Sequence, residues 1–371
     1  MNATVTTIIV NYRLAAGAIR AAESVLAEGM PGAVWVVDNS EDPAEAAALQ
    51  GALGDRCRLL ISAQNRGFGA ACNEVYTQTD SEFVFLLNPD AFCEPGALPA
   101  LVTCLEHNAR AGGVTPRTWL DAGHVVLMPF LYLYPWWHPL LAEPLSRPVG
   151  LGLWVWSLGR RAEALRLWQA QQPQRLARSG LGGGHVLLRR RAVDQAGGLF
   201  DPRFFLYGED TDLSLRLRAA GWELWQAPAA QVVHTFGSTA RDRAEWKHQQ
   251  AVRAEQQLLA KHHGDNRRLR WLRRVDRRLP GRPWLPRSSE SPKAASWTAP
   301  AAWQDGWLLE IGMNPFLIPA VGVLGSGATA TLPECISASV PPGIYWVRLG
   351  PARPGWLTPA VTAIQISAGM G

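Results

Sequence analysis

Residues 5–12 have the sequence VTTIIVNY, an apolar and β-branched run that ends in two polar side chains. Such a run is typical of a buried β-strand. Comparable runs follow at residues 34–37, 58–61 and 83–87, with helix-like stretches between them. Strands that alternate with helices indicate parallel strands joined by crossover helices. We therefore predict a Rossmann-like α/β domain in this part of the chain.

Polar side chains follow each of these predicted strands where the strand ends. They are Asn11 and Tyr12, then Asp38 and Asn39, then Asn65, and finally Asn88 and Asp90. In an open α/β sheet, ligands bind beyond the carboxyl ends of the strands. We therefore expect the chemistry of this domain to collect at that edge of the sheet.

The sequence Asn88-Pro89-Asp90 places a carboxylate directly after the apolar run at 83–87. A carboxylate there can bind a divalent cation that bridges the phosphates of a diphosphate leaving group. The same tripeptide is also a turn signal, which remains open as an alternative. His234 follows another apolar run and is either a structural histidine or a second metal ligand.

Three carboxylates occupy residues 209–212, behind the aromatic run PRFFLY. Burial and crowding of like charges raise carboxylate pKa values, so one of these side chains could deprotonate a sugar hydroxyl. The alternative is an ordinary helix start, where acidic side chains satisfy free N–H groups. We assign that structural role to Asp212 and keep Asp210 as the candidate base.

Two glycine segments complete the candidate site. The sequence NRGFGAACN at 65–73 joins a strand to a helix and resembles a loop whose N–H groups approach a phosphate. It lacks the spacings of the dinucleotide-binding and P-loop motifs, so it is no dehydrogenase or kinase signature. A further strand is predicted at 182–190 and begins with three glycines.

The chain has 371 residues, more than one hydrophobic core usually serves. Prolines and serines at 280–292 predict a linker, and short apolar runs after residue 307 predict a β-rich unit. We expect a catalytic domain at 1–265, a basic helix and linker at 266–290, and a small β-rich domain at 291–371. Five widely spaced cysteines indicate neither a disulfide framework nor a zinc site, which favours the reducing cytoplasm.

Two segments stand apart in composition. Residues 127–156 are dense in aromatic residues and broken by prolines, so we predict neither an ordinary strand nor an ordinary helix. They form either a piece of core, an acceptor lid or a membrane-interface patch. Seven arginines crowd residues 267–278, either as a solvated helix face or as a surface for anionic lipid or an acidic partner. No signal peptide, membrane span or nucleic-acid-binding motif is expected.

Taken in order, several of these segments resemble the family 2 glycosyltransferases, and most of all the rhamnosyltransferase and galactofuranosyltransferase branch. The segments are IIVNY, VVDNS, NRGFGAACN, LLNPD, GGLFDPRFFLYGEDTDLSLRL and VVHTFGS, which together span about residues 4–238. The resemblance implies a GT-A fold that transfers sugar with inversion. The donor would be dTDP-rhamnose or a UDP-sugar, and the acceptor a glycan or lipid-linked saccharide in cell-surface polysaccharide synthesis.

The resemblance also implies roles for individual residues. It places Asp210 as the catalytic base, and Mg or Mn on Asp90 with His234 as a further ligand. It assigns acceptor binding to Glu209, Gly183 and Gly184, and donor binding to Asn11, Tyr12, Asp38, Asn65, Gly67, Asn73, Asn88 and Asp90. Asn88-Pro89-Asp90 departs from the DxD motif of the family, since only one carboxylate remains there.

Two other classes of protein stay open at this point. A sugar-phosphate nucleotidyltransferase would share the sheet and the nucleotide, although VNYRLAAG is a poor match for its basic glycine-rich segment. A carbohydrate-binding protein on an inactive GT-A scaffold would fit the seventeen tryptophans. For the enzyme we expect a cytoplasmic location with peripheral contact at the inner face of the membrane, no nucleic-acid partner, and a homo-oligomer.

Overall fold

The computed structural model describes residues 4–143, 145–235, 244–279, 288–289, 296–340, 342–353 and 361–366. The strands are β1 (Val5–Asn11), β2 (Gly32–Asp38), β3 (Arg58–Ile61), β4 (Phe83–Leu87), β5 (Ala91–Cys93), β6 (Ala111–Trp119), β7 (Leu131–Tyr132), β8 (Gln174–Arg175), β9 (Ser179–Gly180), β10 (His185–Arg189), β11 (Glu223–His234), β12 (Ser288–Ser289), β13 (Ser296–Thr298), β14 (Trp307–Gly312), β15 (Ala320–Gly325), β16 (Thr329–Thr331), β17 (Gly343–Pro351) and β18 (Val361–Ile366). The α-helices are α1 (Ala15–Leu26), α2 (Pro43–Leu53), α3 (Phe68–Thr77), α4 (Ala97–His107), α5 (Arg147–Gln169), α6 (Arg190–Gln195), α7 (Glu209–Ala219), α8 (Ala244–His263), α9 (Arg267–Asp276) and α10 (Glu334–Ser339).

The chain divides into two compact units. The first consists of Met1–Ala122 and Ala170–Leu258, and the second of Gly123–Gln169 and Leu259–Gly371. Within the described residues, the first unit is built on a nine-stranded sheet of order β3-β2-β1-β4-β10-β6-β11-β5, and β8 pairs with β11. Strands β3, β2, β1 and β4 are parallel to one another, and β10 runs antiparallel to β4 and β6. The predicted α/β class is confirmed.

Burial explains why the first four strands were recognisable in the sequence. All seven residues of β1 and all five of β4 are buried, as is usual for parallel strands covered on both faces. Alternate apolar side chains of these two strands, among them Ile9, Phe83 and Leu87, join one core. Helix α2 starts where Asp42 accepts a hydrogen bond from the Ala44 N–H. The central strands are therefore buried on both faces of the sheet, and the polar residues that follow the strands lie at one edge.

The second unit contains a five-stranded sheet of order β12-β18-β17-β14-β15 in the described residues, in agreement with the predicted β-rich C-terminal part. The expectation that residues 127–156 contain no ordinary helix is wrong from Arg147 onward, because α5 begins there. Pro148 lies in the first turn, where a helix tolerates proline because the missing N–H has no intrahelical partner. The prolines of this segment therefore precede the helix or begin it.

The aromatic side chains of the insertion pack as core in this unit. Tyr132 and Trp154 are buried, and Tyr134, Trp136, Trp137 and Trp156 are partly buried. All of these except Trp154 pack in a cluster whose buried members are Tyr132, Leu140, Leu145, Leu153, Leu269, Phe316 and Ile318. Trp154 packs in a second cluster with Leu158, Leu317 and Val361. Of the three alternatives for this segment, the structure therefore favours the packing role.

A buried ion triad joins α5 to the sheet of the second unit. Glu310 on β14 accepts hydrogen bonds from Arg348 on β17 at 2.7 Å and from Arg161 on α5 at 2.8 Å. These three side chains are at most 5% exposed. The triad explains why residues 123–169 group with the C-terminal residues, which the sequence did not predict. The predicted boundaries at 265 and 290 stay predictions, and most of the predicted linker at 280–292 lies outside the described residues.

Candidate active site

The ends of β1 and β2 hold a buried carboxylate in place. Asn11 donates hydrogen bonds to Asp38 Oδ1 at 2.9 Å and to Ser40 Oγ at 3.1 Å, and its own Oδ1 accepts one from Leu14 N. Asp38 is 1% exposed, and its Oδ2 has no hydrogen-bond partner among the described residues. Asn11 therefore serves to position Asp38, whose second oxygen remains an acceptor. Tyr12 follows at the strand end and is half-buried.

The glycine segment after β3 is fastened to the segment that leads into α7. Gly67 has a φ of 92°, and a side-chain carbon there would come within 2.2 Å of the Phe205 carbonyl oxygen. The N–H of Gly67 donates to Asn65 Oδ1, and that of Phe68 donates to the Phe205 carbonyl. The N–H groups of Gly67 and Phe68 are therefore hydrogen-bonded within the protein. The glycine is required here for close approach of two backbones.

Asn73 on α3 makes a second connection to the same segment. Its amide donates to the Phe200 carbonyl at 2.8 Å and accepts from the Phe200 N–H at 3.0 Å. The two residues are 127 positions apart. Because both polar atoms of Asn73 are used in this way, its contribution to the site is to hold the chain that precedes Glu209 and Asp210.

Asp90 and His234 lie side by side, although 144 residues separate them in sequence. His234 Nε2 is 3.0 Å from Asp90 Oδ1, and the two side chains are 8% and 16% exposed. Pairing of β11 with β5 sets Val233 against Phe92 and His234 against Ala91, which brings the two side chains together. Carboxylate and imidazole are both ligands of divalent transition metals. Within the described residues no three His, Cys, Asp or Glu side chains form a metal cluster.

His185 lies behind this pair and was not singled out in the sequence. Its ring centroid is 5.5 Å from that of His234, in an edge-to-face arrangement. Burial, helped by the nearby His234, lowers the pKa of His185 to about 3, so its imidazole is neutral. His185 follows three glycines at the start of β10, and that position is the sequence signal that could have identified it.

Two acidic side chains begin α7 with different surroundings. Glu209 is buried, and burial together with the charge of Asp210 raises its pKa to about 8. Burial also raises the pKa of Asp210, but hydrogen bonds from the N–H groups of Gly183 and Thr211 oppose this. The pKa values of both carboxyl groups therefore lie above their usual range, and the backbone N–H groups favour the charged form of Asp210. Asp212 is fully buried, and its carboxylate pairs with Arg216 at 2.7 Å.

The glycines before β10 bring the two acidic motifs together. The Gly183 N–H donates to Asp210 Oδ2 at 3.3 Å, and a side-chain carbon on Gly183 would come within 3.3 Å of Asp210 Cβ. At the next residue, the Gly184 carbonyl accepts from the Asn88 N–H at 2.8 Å, and a side-chain carbon would reach 2.6 Å from Asn88 Nδ2. The glycine run therefore packs directly between residues 88–90 and the start of α7.

Two further side chains lie near the acidic residues and were missed in the sequence. Tyr207 is 41% exposed, and its pKa is raised by burial and by the charges of Glu209 and Asp90. Lys247 on α8 is half-buried, and its pKa is lowered by burial, an effect that the charge of Asp90 opposes. Both positions depend on the packing of distant elements, so no local motif marks them.

Comparisons with known proteins agree with this geometry. A family model described as glycosyltransferase like family 2 matches residues 3–253. Two N-acetylglucosaminyl-diphospho-decaprenol L-rhamnosyltransferases from Mycobacterium tuberculosis, strains CDC 1551 / Oshkosh and ATCC 25618 / H37Rv, are 31% identical over 252 residues. The match covers 59% of this chain and 72% of each relative.

Two solved structures resemble the fold. A crystal structure of GalNAc-T7 with UDP, GalNAc and Mn²⁺ has a TM-score of 0.50 at 13% identity, over 75% of this chain and 52% of that one. The mannosyltransferase PcManGT from Pyrobaculum calidifontis, in complex with GDP-Man and Mn²⁺, has a TM-score of 0.44 at 16% identity, over 67% of this chain and 60% of that one. This chain thus spans less than two thirds of either.

The fold and the polar edge of the sheet define a glycosyltransferase of the GT-A class. Within that class, the chain belongs to glycosyltransferase family 2, because the family model matches well over half of it. Rhamnosyltransferases are among its relatives.

Proposed function

We propose that this chain is an inverting, metal-dependent glycosyltransferase that moves L-rhamnose from dTDP-rhamnose to a hydroxyl of a lipid-linked saccharide. The observation that carries the proposal is the glycine run, which joins the candidate base Asp210 to the candidate metal motif through Gly183 and Gly184. The names of the relatives support the choice of sugar and of a polyprenyl diphosphate acceptor. The nucleotide follows from the resemblance to the rhamnosyltransferase branch.

On the donor side, Asp38 Oδ2 accepts a hydrogen bond from the nucleoside, since it is a buried carboxylate oxygen without a partner in the described residues. Tyr12 and Asn65 flank the same edge of the sheet, at the ends of β1 and β3. Asn11 and Asn73 act indirectly by holding Asp38 and the segment at Phe200.

Asp90 and His234 are the residues that would hold the cation, with Asn88 beside them. Their donor set of one carboxylate and one imidazole fits Mn²⁺ better than Mg²⁺, which prefers oxygen ligands. A cation bound there would neutralise the negative charge that develops on the departing nucleoside diphosphate.

On the acceptor side, Asp210 is the general base. The acceptor oxygen forms a bond to the anomeric carbon as the bond from that carbon to the diphosphate oxygen breaks, and the hydroxyl proton passes to Asp210. A single displacement of this kind inverts the anomeric configuration. Asp210 suits this role because it is partly exposed and accepts hydrogen bonds from backbone N–H groups that favour its charged form, whereas Glu209 is buried and its pKa is raised to about 8.

Glu209 helps to position the acceptor by donating its proton as a hydrogen bond. Gly183 and Gly184 border the acceptor position, and the lack of side chains there lets Asp210 and Asn88 pack closely against their backbone. A lipid-linked acceptor places the reaction at a membrane surface, and the nucleotide sugar places it on the cytoplasmic face. The expected homo-oligomer stays a prediction.

The proposal is tested by a donor-hydrolysis screen with dTDP-rhamnose, UDP-sugars and GDP-sugars in the presence of Mn²⁺, Mg²⁺ or EDTA. We expect hydrolysis of dTDP-rhamnose with Mn²⁺ and almost none with EDTA. Transfer to a polyprenyl-diphosphate saccharide should then give a product of inverted configuration by NMR. Retained configuration would contradict the mechanism.

The same screen separates the remaining alternatives. Binding of nucleotide sugar without any turnover would favour a carbohydrate-binding protein on an inactive scaffold. Formation of a nucleotide sugar and pyrophosphate from dTTP and a sugar phosphate would instead identify a nucleotidyltransferase. The Asp210→Asn variant serves as the matched inactive control for the hydrolysis assay.

A further inference from the structure

Helix α9 carries an exposed tryptophan among arginines. Trp271 is 64% exposed, and Arg268, Arg274 and Arg278 are also exposed. Arg268 and Arg274 lie three positions before and three positions after Trp271, a spacing that places side chains on one face of a helix. Arg278 follows just beyond the end of α9 at Asp276. We call these four residues the α9 surface.

The opposite face of α9 is held firmly in the second unit. Leu269 is buried in the cluster that contains Tyr132 and Phe316. At the start of the helix, the Asn266 amide donates to the Trp136 carbonyl at 2.7 Å, and near its end Asp276 Oδ1 accepts from the Ser146 N–H at 3.0 Å. The helix therefore cannot rotate Trp271 inward without breaking these contacts.

The charge of the α9 surface is not neutralised within the described part of the chain. Asp265 pairs with Arg267 and Arg270, and Glu143 pairs with Arg273. Arg268, Arg274 and Arg278 have no acidic partner among the described residues. The segment from Asp265 to Arg278 has seven arginines and two aspartates, so its field is strongly positive.

We propose that the α9 surface binds the headgroup layer of an anionic lipid bilayer. Arginines attract the phosphates of anionic lipids, and an amphipathic indole ring favours the interface between headgroups and acyl chains. The combination of one exposed tryptophan with unpaired arginines is the pattern of a helix that lies in the plane of the interface. Among the described residues no helix is long and apolar enough to cross a bilayer, so α9 would act as a peripheral contact.

The proposal rests on the proposed function in one respect. A lipid-linked acceptor lies at a membrane surface, and the α9 surface would hold the chain there. The proposal places the membrane contact outside residues 127–156, the segment for which a membrane-interface patch was one of three alternatives and which contains Trp136 and Trp137. Both side chains are partly buried in the cluster beneath α9. The residue that the structure exposes instead is Trp271.

The test is co-sedimentation of the full chain with phosphatidylcholine vesicles that contain or lack phosphatidylglycerol. We expect binding only to the anionic vesicles, and much weaker binding at high salt because exposed charges are screened. Replacing Arg268, Arg274 and Arg278 with Gln should weaken binding about 100-fold, since each basic residue near an anionic surface contributes roughly fivefold. Trp271→Ala should weaken it about tenfold, and Trp271→Tyr should largely preserve it.

The matched control replaces Arg56, Arg110 and Arg175 with Gln, which removes the same charge from exposed side chains of the first unit. This control should bind vesicles as the wild type does. Equal weakening by both triple variants would overturn the proposal, because net charge alone would then explain binding. Tight binding to a DNA duplex that does not depend on Trp271 would also overturn it and would favour a nucleic-acid surface.

Donor hydrolysis, measured in parallel without vesicles, separates this proposal from the proposed function. We expect every α9 variant to hydrolyse donor at the wild-type rate. A wild type that hydrolyses dTDP-rhamnose but binds no anionic vesicle would refute the α9 surface and leave the enzyme intact. A wild type that binds vesicles through Trp271 but uses no donor would refute the function and leave the surface intact.

Discussion

Gly183 donates its backbone N–H to the carboxylate of Asp210, and the next residue accepts the backbone N–H of Asn88. A single short backbone segment therefore fixes the distance between the start of α7 and the end of β4. Neither acidic motif can move away from the other without breaking a hydrogen bond to this segment. The candidate base and the candidate cation site form one rigid arrangement.

Asp210→Asn should lower the rate of transfer by about 10²- to 10⁴-fold, because the amide keeps the shape of the side chain but cannot accept a proton. Donor affinity should stay close to the wild-type value, since the proposed role of Asp210 is on the acceptor side. The measurement is turnover at saturating donor together with calorimetric binding of the nucleotide diphosphate. Asp80→Asn, at an exposed position outside the site, is the charge-matched control. Near wild-type turnover in Asp210→Asn would exclude it as the base.

Asp90→Ala should weaken nucleotide diphosphate binding by at least about tenfold in the presence of Mn²⁺, because the cation would lose its carboxylate ligand. His234→Ala should have a smaller effect in the same direction. Calorimetric titrations with Mn²⁺ and with EDTA measure both. The EDTA titration should give similar weak affinities for the wild type and the two variants. Wild-type affinity that is equal with and without EDTA would refute the metal assignment.

The free energy of unfolding should fall as pH rises from about 4.5 to about 8, because of Glu209. Its pKa is raised from 4.5 to about 8 in the folded chain. In this window the folded state holds a proton that the unfolded state has released, so rising pH favours unfolding. Glu209→Gln should remove this part of the slope in urea titrations at several pH values. An unchanged dependence of the unfolding free energy on pH in Glu209→Gln would contradict the argument that burial raises the Glu209 pKa. Glu106→Gln, at an exposed position, is the control.

Gly67→Ala should destabilise the first unit by about 2 kcal/mol or more, because a side chain at its positive φ is strained and would meet the Phe205 carbonyl. Gly51→Ala is the matched control. Gly51 lies within α2 with open space around it, so alanine there should stabilise the helix by about 0.5–1 kcal/mol. Chemical denaturation of both variants measures the contrast. Similar effects in both would show that the approach to Phe205 is not tight.

Glu310→Gln should destabilise the second unit by about 3–5 kcal/mol, because Arg161 and Arg348 would remain buried without a countercharge. Replacing all three residues with apolar side chains of similar volume should cost much less, since no buried charge is then left. Thermal unfolding of the two variants gives the comparison. A Glu310→Gln variant as stable as the wild type would mean that water reaches the triad.

Much of the first unit could be predicted because its signals are local. The bounds of β3 and β4 follow from apolar runs closed by polar residues, and β1 and β2 extend the predicted runs by one to three residues. Helix-like segments at residues 210–220 and 241–263 are also recognisable in the sequence, and the structure has α7 and α8 there, with 241–243 outside the described residues. The sequence pattern was sufficient to predict the strands, because burial of a strand on both faces gives a clear apolar run.

The remainder depends on contacts between distant residues. Nothing near Asn73 in sequence indicates that its amide holds Phe200, and nothing near His185 indicates that it packs against His234. The pairing of Asp90 with His234 was predicted from the family resemblance, because their spacing in the sequence does not indicate it. The grouping of residues 123–169 with the C-terminal residues was not predicted, because contacts such as that of Arg161 with Glu310 join residues far apart in the sequence.

The buried triad has a consequence for synthesis of the chain. Arg161 leaves the ribosome long before Glu310 and Arg348, and residues 170–258 of the first unit emerge between them. The aromatic insertion must therefore wait, with its apolar side chains lacking Phe316 and Ile318, until those residues have been synthesised. A chain that stops before residue 310 would leave Arg161 without its countercharge and the insertion without its native packing.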